Sequence, residues 1–170
     1  MRWPAFILVA YFALGLQLGL GGVLGWGAWM PSLPLIFVLF VALHAPSQAA
    51  LHGAVIVGLG HDAIAAVPLG TYTFTYGVVT LASIQLRQVM YREHPFTHGT
   101  LTLLMGCLLA ILFAIGNFLR ARFAPTGDLL WAPTFLATLA MSISTAIAAL
   151  PVMWMLRKVR KMFAFRDSAE

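Results

Sequence analysis

From Trp3 to His61 the chain carries no Asp, Glu, Lys or Arg, and the run is broken only at Asp62. A stretch of that length and character leaves few ways to fold. The whole chain is 170 residues, 61% hydrophobic and 9% charged. No soluble domain of this size hides so much apolar surface, so the expected class is an integral membrane protein built of helices. One domain is expected, because no polar block is large enough to make a second core. The basic residues sit at segment ends, so the net charge of +5 reads as membrane orientation and not as a nucleic-acid interface.

Asp62 is the organising feature. A carboxylate at membrane depth needs a partner or a wet cavity. Ala50, Ala54 and Gly58 precede it at intervals of four, which places all four along one slowly drifting helical stripe. Small residues on such a stripe let another backbone approach. Beyond Asp62 come Pro68 and Gly70. Pro68 suits a turn or a first helical position, and Gly70 permits backbone shapes that a Cβ blocks. The expected arrangement is a small-faced helix, a tight re-entry at Asp62 and a new helix from about Pro68. Asp62 itself has three readings: it locks the turn by accepting backbone N–H bonds near Pro68–Gly70, it faces a partner protein, or it binds an ion or solute.

Six spans are expected, at about 4–25, 31–44, 47–62, 68–86, 97–119 and 133–156, followed by a basic tail at 157–170. Span one opens the chain as a retained helix, because its apolar run is longer than a signal-peptide core and no cleavage site closes it. Gly15 and Gly19 form a GxxxG pair there, as do Gly21 and Gly25. Packing inside the bundle is the commoner use of such pairs, and docking of another protein is the sharper one. Trp26 and Trp29 fit an interfacial belt. Spans two and three are short, and a single kinked helix from Leu33 to Leu59 is the alternative. With both termini in the cytoplasm, Arg2, Arg87, Arg92 and the tail fall inside, and only Arg120 and Arg122 fall outside.

The chemistry-bearing residues are sparse. His44, His52, His61, His94 and His98 lack ligand spacing, and Pro95 separates the last two; interfacial or hydrogen-bonded histidine is the expected role. Cys107 is alone and apolar in context, so no disulfide is expected. Glu93 and Asp128 fall on opposite sides in this topology and make no acid–base pair. The serines have no histidine–carboxylate setting, and no phosphate-binding loop occurs. No metal, cofactor or catalysis is expected. Tyr72 and Tyr76 lie on one helical face, as belt aromatics or as a stacking platform.

Taken together, Pro31-x-x-Pro34, the segment Gly58-Leu-Gly-His-Asp62 with Pro68-Leu69-Gly70, and the closing Leu156-Arg157-Lys158-Val159-Arg160-Lys161-Met-Phe resemble the MreD family of rod-shape-determining membrane proteins. The resemblance runs through nearly the whole order of spans. It implies a six-helix membrane bundle similar to the substrate-binding component of energy-coupling-factor transporters. It implies residence in the bacterial inner membrane, both termini cytoplasmic, and association with MreC and other cell-wall elongation proteins such as MreB, RodA and a penicillin-binding transpeptidase. No enzyme activity is implied. The expected role is a scaffold that supports peptidoglycan synthesis and rod shape, docking MreC through the glycines of span one and the Ala50, Ala54, Gly58 face of span three. A leucine at Gly58 is then expected to block docking while the protein still inserts. The rival expectation is a solute-binding component of a vitamin-type transporter, with a pocket near Asp62, Tyr72 and Tyr76. Span one offers that pocket only Gln17.

Overall fold

The structure, a computed structural model, describes residues 3–24, 27–65, 68–87, 95–123 and 131–163. Among these residues there are six α-helices and no strand. They are α1 (Trp3–Leu24), α2 (Leu33–His44), α3 (Ser47–Ile64), α4 (Thr71–Leu86), α5 (Pro95–Phe123) and α6 (Trp131–Phe163), with a 3-10 turn at Gly27–Trp29. Arg2, Gly25, Trp26, Arg92, Glu93, His94, Asp128 and the end of the tail from 164 lie outside the described residues. Among the described residues two helical stretches are long and apolar enough to cross a membrane, Trp3–Gly21 and Phe135–Leu156. Leu33–His44 and Thr100–Gly116 are apolar but shorter.

The core is built around α2. Every residue from Pro34 to Ala42 is buried, and α2 touches each of the other five helices. A helix that is apolar all round is stable only when surrounded. Its exposed ends are closed by other elements. The Ser32 N–H donates to Thr145 Oγ1 at 2.9 Å, and the Leu33 N–H donates to Gln17 Oε1 at 2.9 Å. Two of the amides that a helix start leaves open are thus satisfied from α6 and α1. Gln17, the one polar group available in α1 for a solute pocket, is engaged here.

At its other end α2 stops because Ala45 and Pro46 are extended. The two helices are therefore separate, and the single kinked helix does not form. Arg87, at the end of α4, closes this corner. Its guanidinium donates to the carbonyls of Ala42 and Ala45, at 3.2 and 2.7 Å, and to Ser47 Oγ at 2.9 Å. A cation is favourable against the last carbonyls of a helix. Arg87→Met keeps most of the stem and removes the donors. It is expected to lower unfolding free energy by about 2 kcal/mol in denaturant titration of the purified protein.

Several expected boundaries move; α5, for one, runs to Phe123 and not to 119. α4 begins at Thr71 and not near Pro68, because Gly70 sits at φ +95° and Pro68–Gly70 forms a turn. The Pro68 carbonyl accepts from the Thr71 N–H at 3.2 Å and from its hydroxyl at 2.7 Å. α6 continues past 156 to Phe163, so Arg157 to Lys161 are carried on helix instead of starting a separate tail. α5 and α6 pack as a pair. They approach closely at Gly106, where a Cβ would lie 2.7 Å from Ser142 Cβ.

Candidate functional site

The stripe Ala50, Ala54, Gly58 and Asp62 is buried along its whole length. Its upper half faces α4. A Cβ on Gly58 would lie 2.5 Å from Thr73 Cα and 2.9 Å from Thr73 N. Nothing larger than hydrogen fits between the two backbones. Ala50 and Ala54 belong to the central apolar cluster with Phe6, Phe37 and Val57. This face is a seam inside the chain, so it is unavailable as an MreC-docking surface, and a leucine at Gly58 breaks the bundle before it tests a partner.

One turn after Gly58, the close approach brings Asp62 against the first turn of α4. Asp62 is 3% exposed. Its Oδ1 accepts from the Tyr72 N–H at 2.8 Å. Its Oδ2 accepts from the Gly70 N–H at 2.9 Å, the Thr73 N–H at 3.1 Å and the Thr73 hydroxyl at 2.7 Å. This is helix capping supplied from a neighbouring helix: no side-chain cap comes from Gly70 itself. A carboxylate is well placed there, because open N–H groups and the helix dipole both favour negative charge. Of the three readings of Asp62, the structure realises the turn lock. Gly70 contributes both the left-handed corner and one of the donors. Pro68 is exposed and, having no backbone N–H, shapes the turn without donating to the carboxylate.

His61 points to the other side of the same crossing. Its Nδ1 and the Tyr76 hydroxyl are 2.8 Å apart. Its ring stacks on Tyr72, with centroids 3.8 Å apart and planes 19° from parallel. Tyr72 then meets Phe113 of α5 at 4.9 Å. Tyr76 is fully buried and belongs to the interior, whereas Tyr72 is only partly buried. The other two described histidine side chains bond back along their own helices, His44 to the Phe40 carbonyl at 2.8 Å and His52 to the Gln48 carbonyl at 2.7 Å. Among the described residues no three His, Cys, Asp or Glu converge as metal ligands.

The arrangement is a mechanical clasp. α4 is fastened at its start by Asp62 and at its end by Arg87, about 24 Å apart at 1.5 Å per residue. Sequence reasoning missed Thr73, which bonds Asp62 through both its N–H and its hydroxyl. It missed Arg87, whose clamp depends on a corner more than forty positions away in the chain.

Gly15 and Gly19 stand apart from all this. Both are exposed, and a Cβ on either would meet nothing within 4 Å. The pair is therefore not used for packing inside this bundle. Around it α1 presents Leu8, Tyr11, Phe12 and Leu16, each more than half exposed. Gly21, by contrast, lies against Met30 of the same chain. Compared with known proteins, the chain matches no family model, no curated protein and no solved structure.

Proposed function

We propose that this chain is a multi-pass inner-membrane scaffold of the MreD type, non-enzymatic, which docks MreC and so supports peptidoglycan synthesis during rod elongation. The observation that carries the docking role is the outer face of α1. Leu8, Phe12, Gly15 and Gly19 fall on one helical stripe. The glycines leave room for a second backbone, and the large side chains beside them supply contact area. Helices associate in hydrocarbon through this kind of close packing. The two long apolar helices support the membrane reading, and the remaining four pack with them as one bundle. Both termini are placed in the cytoplasm by the distribution of Lys and Arg.

The test is co-purification from native membranes with Gly15→Leu and Gly19→Leu. A Cβ at either exposed position meets nothing within 4 Å of its own chain, so the melting temperature of the purified variant is expected to stay near that of the parent, as for surface changes generally. Recovery of MreC is expected to fall to background. Undiminished recovery removes α1 from the interface, and recovery of transporter ATPases in place of wall-synthesis proteins replaces the scaffold reading with solute transport.

A further inference from the structure

A groove of about 310 Å³ runs between α1 and α6, with α2 as its floor. Phe12 and Leu16 line one wall, Met155 and Leu156 the other, and Leu33 and Phe37 the base. Every lining side chain is apolar. A dry apolar cavity of about 150 Å³ already takes up benzene, so this volume suits a length of hydrocarbon chain. Its two walls are the two helices long and apolar enough to cross a membrane. The groove is also open at the side, because Phe12, Leu16 and Met155 are each more than half exposed.

Beyond the lining residue Met155, α6 carries a cation. Lys158 follows Met155 by three positions, which puts it one turn further along the same side of α6. Its Nζ lies 3.7 Å from the centroid of the Trp154 ring, and Trp154 is itself 61% exposed. An amphipathic indole beside an ammonium is the pairing expected at headgroup depth. We infer that the α1–α6 groove holds one acyl chain of an anionic glycerophospholipid, whose phosphate is bound at Lys158 beside Trp154. The apolar lining selects the chain, and the charge selects the headgroup, since a basic residue at the surface favours anionic lipid. The site lies on the flank of the proposed docking stripe, sharing Phe12 with it, so a bound lipid would form part of the surface that a partner helix meets. This inference rests on the membrane reading of the chain.

Native mass spectrometry of the detergent-purified protein tests it, with phosphatidylglycerol and phosphatidylcholine of identical chains added in turn. One phosphatidylglycerol is expected to be retained in preference to phosphatidylcholine. Lys158→Glu, at an exposed position, is expected to weaken phosphatidylglycerol retention about fivefold or more and to leave phosphatidylcholine unchanged. Met155→Trp, also exposed, is expected to fill the groove and weaken both lipids. Equal retention of the two lipids, retention unaffected by either variant, or a dimer mass in place of the lipid adduct would overturn the assignment. Carbonate washing of membranes separates the two levels of failure. A chain stripped off by carbonate fails the membrane reading, whereas a chain that stays but retains no lipid fails only the groove.

Discussion

Replacing Gly58 with alanine is expected to unfasten α4 from α3. The added Cβ would lie 2.5 Å from Thr73 Cα and 2.9 Å from Thr73 N. Both obstacles are backbone atoms, so no flexible side chain can swing aside. Restoring ordinary contact at about 3.5 Å or more means moving the helices apart by about 1 Å. That shift acts on the turn that holds the Tyr72 and Thr73 amides, which now sit 2.8 and 3.1 Å from Asp62. Overpacking and weakened hydrogen bonds then add, for a loss of about 3 kcal/mol. Gly15→Ala is the control, because the same methyl there enters open space. Denaturant unfolding should separate the two variants clearly. Equal midpoints would mean that the helices are not in backbone contact at Gly58.

Asp62→Ala is expected to cost about as much by a different route. It leaves three backbone N–H groups and one hydroxyl at the start of α4 without their acceptor. Loss of a cap costs roughly 1 kcal/mol, and a buried donor left unsatisfied costs roughly 1–3 kcal/mol. A total of about 3 kcal/mol follows, allowing for partial access of water at the end of the bundle. Asp62→Asn should fall between, since one oxygen remains and its amide nitrogen meets N–H donors. Thr73→Val removes a single bond and should cost about 1 kcal/mol. The double variant Asp62→Ala, Thr73→Val should lose less than the sum of its parts, because the two residues share one interaction. Strict additivity would argue that the Thr73 hydroxyl does not bond Asp62.

The seam at this crossing was legible from residue types: small residues every four positions, then a carboxylate, then a turn with Pro and Gly. These are local signals, and they name the parts of the clasp. What they did not contain was direction. A stripe of Ala and Gly invites any close helix, and only the packing of Gly58 on Thr73 decides that the helix is α4 of the same chain. The same ambiguity applied to Gly15 and Gly19 with the opposite outcome, since these face outward. Arg87 illustrates a second kind of gap. Its position after an apolar segment reads as a loop cation, while its structural role depends on a corner brought near by the α2–α3 turn. Tyr76 is a third case: a tyrosine near a segment end fits an interface, and its full burial follows from the company of His61, Tyr72 and α2.

The enclosure of α2 has a consequence for how the bundle is completed. Its 12 residues give a rod of about 18 Å, against roughly 30 Å of hydrocarbon in a bilayer. In the bilayer proposed above, such a segment is too short to span on its own. Ala45 and Pro46 join it to α3, which packs against it. Even then the start of α2 stays unsealed, because the Ser32 amide finds its acceptor in Thr145, 113 positions later. Among the described helices α6 comes last in chain order, and it supplies that oxygen. Within this bundle the start of the central helix is therefore completed only once α6 is in place.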